Sequence, residues 1–333
     1  MSSLNKMESL EYLKNLGRML NIILLRFAVL ILGLILAGVI FETIAETIEN
    51  RAIPLVGQLI DVGGYRLHIS CAGTGSPTVV IDSGVGDWST SWVGVQANIA
   101  RTTQVCIYDR AGYGWSEAGP QPRTSQQFVK ELYTLLKKAG ITGPYVVVGH
   151  SLGGLTARLF SYDYPSEVAG VVLVDSMDPG TTPLDLANIK TPVRSIFGME
   201  SVLPVMARMG IMRFVVRPLG FIPNLPPEGQ NAKLAFLSRP VYFQTLQDEY
   251  RAIPESLAQA SAVQTLGHLP LIVLSRALGT SPVDAAWQVK QTELLLLSSD
   301  SQQIIAEKSG HNIEIDQPEA VVDAILKMVM GLR

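Results

Sequence analysis

The 333-residue chain reads as an α/β protein: a mostly parallel sheet covered by helices on both faces, with a helical insertion and an N-terminal membrane helix. Three observations predict this. From about residue 56, short runs of β-branched residues alternate with helix-compatible stretches. A Gly-x-Ser-x-Gly sequence, Gly149-His150-Ser151-Leu152-Gly153, lies between one such run, Tyr145 to Val148, and the helical stretch Leu155 to Tyr162. Residues 19–41 are almost wholly apolar.

Composition narrows the field. Hydrophobic residues make up 47% of the chain, enough for one large catalytic core with an insertion. The net charge of −3 and the absence of basic runs give nucleic-acid binding no electrostatic support. Two cysteines indicate neither a metal cluster nor a disulfide scaffold, and no metal or organic cofactor is expected.

The elements follow in order. Residues 1–18 form a short polar helix. Residues 19–41, interrupted only by Asn21 and Arg26, reach the roughly 20 residues a spanning helix needs. Lys6, Lys14 and Arg18 precede the span, whereas Glu42, Glu46 and Glu49 follow it. This bias places the N-terminus in the cytoplasm and the remainder outside. A retained anchor is favoured over a cleaved signal peptide, because the run is long and Thr43-Ile44-Ala45 is a poor cleavage site. Residues 42–55 are an acidic helix tail and linker ending near Pro54.

The globular part, 56–333, opens with a hairpin around Gly63-Gly64. A buried strand, Pro77 to Ile81, then runs into Ser83-Gly84-Val85-Gly86. A helix over Trp92 to Ala100 precedes the strand Thr103 to Tyr108. That strand ends in Asp109-Arg110-Ala111-Gly112-Tyr113-Gly114-Trp115-Ser116. The stretch Thr124 to Ala139 carries Phe128, Leu132, Leu135 and Leu136 on one helical face. After the strand Ala169 to Val174 the alternation stops. Residues about 179–266, rich in proline, methionine and leucine, read as a helical cap. Strands resume at Leu269 to Ser275 and Ser301 to Glu307, and the helix Pro318 to Met330 closes the domain.

The chemistry centres on Ser151. A strand that turns sharply into a helix around Gly-x-Ser-x-Gly holds its serine at a strained position beside a helix N-terminus. A serine hydroxyl needs a base. Of four histidines, His68 lies inside a hairpin strand, His150 points off the turn, and His268 begins a strand. His311 falls just past a strand end, where catalytic groups collect in open parallel sheets, and is the expected general base and acid. A carboxylate must orient it. Asp175, at the end of the strand after the elbow helix, is preferred, with Asp284 as the alternative and Asp178 as a third choice. The oxyanion donors are the N–H groups of Leu152 and Val85, with Gly84 as alternate. Asp109 and Arg110 read as a structural turn network. Trp88, Trp92, Trp115 and Met177 either wall an acyl pocket or pack the core. Cys71 and Cys106 either pair or stay as separate buried thiols.

Over residues 56 to 333 the chain resembles the α/β-hydrolase superfamily. The resemblance rests on Ser83-Gly84-Val85-Gly86, Asp109 to Ser116, Gly149 to Gly154 and Ser309-Gly310-His311 taken together. It implies an eight-stranded, mostly parallel sheet, a Ser-His-acid triad and a cap over the site. It also makes the strands of Cys71 and Cys106 neighbours, which strengthens pairing. Two departures stand out: Ser83-Gly84 replaces the usual His-Gly, and the usual position of the acid lacks a clean match. Members with an Asp nucleophile are disfavoured, because Ser151 occupies that place. The expected function is a membrane-anchored serine hydrolase cleaving carboxylic esters, hydrophobic or lipid-like. The alternatives are an acyltransferase, thioesterase, amidase or peptidase with the same triad, and a non-catalytic binding protein.

Overall fold

Eight strands form one sheet in the order β1-β2-β4-β3-β5-β6-β7-β8. The computed structural model describes residues 2–182, 185, 202–216, 218, 225, 227–277 and 282–333. Parts of the expected cap, including 186–201 and 219–224, lie outside the described residues, as does the loop 278–281.

The strands β1 (Gln58–Asp61) and β2 (Arg66–Ala72) form the hairpin. Its turn is set by Asp61, whose Oδ1 accepts the N–H groups of Gly63 and Gly64 at 2.8 and 3.1 Å. β2 pairs antiparallel with β4 (Val105–Tyr108), and every later pairing is parallel. β3 (Thr78–Asp82), β5 (Tyr145–His150), β6 (Val168–Val174), β7 (Leu271–Arg276) and β8 (Ser301–Ala306) complete the sheet.

Strands buried on both faces must be apolar at nearly every position. Alternate residues therefore enter opposite cores. Val80, Val147, Leu173 and Val273 pack under α3 (Ser125–Lys138) and α4 (Leu152–Asp163). Val79, Ile81, Val148 and Leu274 pack under α2 (Val93–Ile99) and the C-terminal helix (Pro318–Gly331). Trp92 belongs to this second core, so the possible pocket role considered for it gives way to packing. Thr124 caps α3 by accepting the Gln127 N–H at 3.3 Å, and Lys137 and Lys138 end it in favourable register with its dipole.

Cys71 and Cys106 are register partners on β2 and β4 and are joined by a disulfide. Cys71→Ser is expected to lower stability by about 2–4 kcal/mol. Thermal melts check this; an unchanged Tm would mean that the bridge contributes nothing to the native fold.

The N-terminal helix, α1, runs unbroken from Ser2 to Ala52 and stops two residues before Pro54. Most of its apolar side chains, from Met19 to Leu36, are exposed, and it is long and apolar enough to cross a membrane. The described cap comprises α5 (Leu203–Arg208), α6 (Met212–Val215), α7 (Pro227–Leu237) and α8 (Pro240–Ser261). The last two are separate helices because Pro240 starts the second. A helix that was not expected, α9 (Pro282–Glu293), follows β7, so Asp284 lies in the first turn of a helix. The short α10 (Ile313–Asp316) precedes α11 (Pro318–Gly331).

Candidate active site

The turn between β5 and α4 is built by steric necessity. Ser151 sits at φ +52°, a region that costs an L-residue energy and persists only when its surroundings enforce it. The enforcement is close backbone packing. A Cβ at Gly149 would lie 2.3 Å from the Gly153 carbonyl oxygen, and a Cβ at Gly153 would lie 2.4 Å from that of Asp82. Neither neighbour can give way, because both are backbone atoms, one in the first turn of α4 and the other at the C-terminal end of β3. The Ser151 N–H donates to Val174 O at 3.2 Å, and Ser151 O accepts from Met177 N at 3.0 Å. These bonds tie the turn to the end of β6.

Asp175 directly follows that strand and also has positive φ, +39°. Its carboxylate is fully buried and fully occupied. Oδ1 accepts from Trp287 Nε1 at 3.0 Å and Arg276 N at 3.2 Å, and Oδ2 accepts from Arg276 Nη1 at 3.1 Å. The shortest contact is to His311, whose Nδ1 lies 2.6 Å from Oδ2. Burial pushes the Asp175 carboxyl up, but the bonds and charges of His311, Arg276 and Trp287 outweigh it and hold it below the usual range. Burial pushes the His311 imidazole down to about 4; the bond to Asp175 opposes this, while His150 and Arg276 add to it. The pair is therefore an ionised carboxylate and a neutral imidazole whose Nδ1–H donates. Nε2 is left as the free base.

Asp284, the alternative acid, faces Arg276 instead: its Oδ1 lies 3.4 Å from Arg276 Nη2. Asp178 is used in a turn, accepting the Gly180 N–H at 2.7 Å. Of the three carboxylates considered, Asp175 makes the His311 contact.

Ser151 Oγ is buried without a hydrogen-bond partner among the described residues, so the structure joins His311 to Asp175 but does not bond Ser151 to His311. Such bonds are often open in an empty site and close around substrate. His150 links the two segments, a role that sequence reasoning missed. Its Nε2–H donates to the His311 carbonyl at 3.0 Å, and the two rings lie 4.8 Å apart. The strand that delivers Ser151 thus also holds the loop that delivers His311.

The loop after β3 is pressed against the serine. A Cβ at Gly84 would lie 3.3 Å from Ser151 Cβ and 2.8 Å from His150 Nδ1. Arg110 sets its orientation. Nη1 donates to Asp82 Oδ1 at 2.7 Å and Ser83 O at 2.5 Å, and Nη2 donates to Gly84 O at 2.7 Å. In a trans peptide, C=O and N–H point opposite ways, so fixing Gly84 O aims the Val85 N–H away from Arg110. Leu152 is the first residue of α4, and its N–H has no acceptor within the helix. Arg110 also clamps the cap: Glu249 on α8 accepts from Nε at 2.8 Å and Nη2 at 3.0 Å. A second buried tie joins Lys233 on α7 to Asp87 and Ser91, with its ammonium 4.0 Å from the Trp88 ring centroid. Asp109 pairs with His68 at 2.8 Å, so the Asp109-Arg110 dipeptide is a structural network, as its sequence suggests.

Met177, Leu152, Leu155, Phe128, Ile253 and Trp287 form one apolar cluster, with Val85 at its edge. Trp88 packs among Tyr113, Phe236 and Tyr242 in the cap. Trp115 packs between His68 and Phe236.

A model of the α/β hydrolase fold matches residues 77–193. This segment carries β3 through β6 and therefore the Gly84 loop, the Ser151 turn and Asp175. The chain has the α/β-hydrolase fold. It is 29% identical to the uncharacterized Bacillus subtilis protein YqjL, over 76% of this chain and 83% of that one. The chain spans about half or less of the other relatives it matches most strongly. Among solved structures of the fold, the epoxide hydrolase CorEH superposes with a TM-score of 0.65 at 21% identity, covering 83% of this chain and 99% of that one. A thermophilic esterase from Thermogutta terrifontis gives 0.57 at 21% identity, with the same two coverages. The match thus takes in nearly the whole of both of those structures.

Proposed function

We propose that this α/β-hydrolase is a membrane-anchored serine hydrolase that cleaves carboxylic esters. The observation that carries the reading is the buried Asp175–His311 pair, set beside a serine held at positive φ on a strand–helix turn. Ser151 Oγ attacks the acyl carbon while His311 Nε2 takes its proton. Asp175 stabilises the imidazolium that results. The Leu152 and Val85 N–H groups receive the developing oxyanion. His311 returns the proton to the leaving alkoxide, and water then releases the acyl group by the same route.

An epoxide hydrolase or dehalogenase reaction that proceeds through an alkyl ester on a carboxylate is disfavoured, because residue 151 is serine. The Lys and Arg bias before the span supports a cytoplasmic N-terminus and an external catalytic domain. The Cys71–Cys106 bridge supports the same oxidising location.

The test is turnover of p-nitrophenyl esters of increasing chain length by the full-length protein in detergent, with and without a competing alcohol. Release of free acid throughout supports the esterase; transfer to the alcohol as the main outcome supports an acyltransferase. No turnover of any ester by folded protein contradicts the reading. Because kcat/KM reports the free enzyme and needs neutral His311, its acid limb is expected well below the ordinary imidazole value of 6.5, near pH 4. A limb centred at or above 6.5 would contradict the buried, neutral imidazole.

A further inference from the structure

The cap and the N-terminal helix meet along a continuous seam. A Cβ at Gly38 would sit 2.6 Å from the Met209 carbonyl oxygen, so α1 and the turn after α5 touch backbone to backbone there. One turn further, Phe41 stacks on Phe214 with ring centroids 6.0 Å apart. Arg213 then donates to Glu42 Oε2 at 2.6 Å and to Glu49 Oε2 at 3.1 Å. Arg239 donates to Asn50 Oδ1 at 2.8 Å. The seam covers about 18 Å of helix, at 1.5 Å per residue, and fixes the height of the cap along α1.

That height decides what surrounds the cap edge. The apolar run 19–41 rises about 34 Å, against about 30 Å of hydrocarbon in a bilayer. With α1 spanning the bilayer, Glu42, the first charged residue after the run, sets Phe41 at the outer boundary of the hydrocarbon, with Gly38 about 4.5 Å inside it. Cap residues docked at Gly38 and Phe41 share this depth. Three of their outward side chains are apolar: Val202, Val205 and Phe214 are 49%, 57% and 71% exposed. Two described cations lie at this level: Arg213 is paired with two glutamates of α1, and Arg208, exposed in the last turn of α5, has a side chain long enough to reach the headgroups.

We propose that the α1-facing edge of the cap, at Val202, Val205 and Phe214, is immersed in the outer leaflet of the bilayer, so that anchor and cap form one membrane-embedded unit. The inference rests on α1 spanning a membrane, as proposed above. The occupant of the patch is lipid, because the patch continues the lipid-facing surface of α1. The same cap segment packs inward through Leu203, Ala207 and Met212 against Trp88 and Tyr242, next to the Gly86 end of the Ser83–Gly86 loop. A lipid ester would thus meet the roof of the site without first crossing water.

The test uses full-length protein reconstituted into phosphatidylcholine vesicles, with an environment-sensitive dye on one added cysteine; both native cysteines are held in the disulfide. Phe214→Cys and Val205→Cys are the test positions. Ile35→Cys reports the span itself. Leu296→Cys, in the turn before β8 at the opposite edge of the sheet, reports water. Doxyl-labelled lipids are expected to quench Ile35→Cys, Phe214→Cys and Val205→Cys strongly, the latter two most with shallow doxyl groups, and to leave Leu296→Cys bright. Quenching at Ile35→Cys with none at both cap positions overturns the immersion while leaving the anchor intact. Absence of quenching at Ile35→Cys overturns the anchor and the immersion together. Cap labels dark to lipid but self-quenching between copies would assign the patch to a second chain, and would also overturn the proposal.

Discussion

Ser151→Ala is expected to lower kcat for ester turnover by about a million-fold, because removing the nucleophile of a triad costs nearly as much as removing the whole triad. Its effect on folding is small. Ser151 Oγ makes no hydrogen bond among the described residues, so its loss leaves no partner unsatisfied. The strain at φ +52° is not relieved by alanine, which has the same Cβ. Parallel measurement of ester hydrolysis and of the thermal melt checks both halves. Retention of turnover within tenfold, with the melt unchanged, would remove Ser151 from the chemistry.

Asp175→Asn is expected to lower kcat by about 10⁴-fold, because an amide can leave the imidazole in the wrong tautomer and removes the charge opposite the imidazolium. Asp284→Asn is expected to change kcat only a few-fold. Its carboxylate touches the far side of Arg276, and that guanidinium keeps its bond to Asp175. The comparison is decisive because the two carboxylates share one arginine. If Arg276 transmitted its charge to the site through Asp284, the two variants would resemble each other. Equal losses would show that the acid is not Asp175 alone. A loss in Asp175→Asn that appears with an equally large fall in Tm would assign Asp175 to folding, since Arg276 and Trp287 also depend on it.

The parts of this site that were legible in the sequence are those fixed by local sterics. Gly149 and Gly153 are required by contacts within one turn, so their spacing around Ser151 carries the geometry by itself. His311 could be singled out because histidines are few and strand ends are where such groups gather. The acid was a different matter. Asp175 and Asp284 are both compatible with chain order, and what separates them is a contact spanning 136 residues together with the partners Arg276 and Trp287, from β7 and α9. One usable signal was present. Pro282 followed by Asp284 resembles a helix start, which would have moved Asp284 from a loop into the first turn of α9. The roles of His150 and Arg110 had no such signal. A buried imidazole reaching a backbone carbonyl 161 residues away, and a guanidinium holding two carbonyls of the Gly84 loop, follow only from the packed sheet. The core strands were legible as near-continuous apolar runs, because both of their faces are buried. The cap was readable as helical but not in its divisions, since its helices are held by Glu249, Lys233 and Arg213 to partners far along the chain.

The most direct test of the proposed mechanism is mass mapping of the full-length protein after treatment with a fluorophosphonate. A serine made nucleophilic by a neutral, oriented imidazole reacts with this probe, whereas ordinary serines do not. The account predicts one adduct, on the peptide containing Ser151, absent in Ser151→Ala and sharply reduced in His311→Ala and Asp175→Asn. Folded wild-type protein that stays unlabelled, or that carries its adduct on another residue, would contradict it.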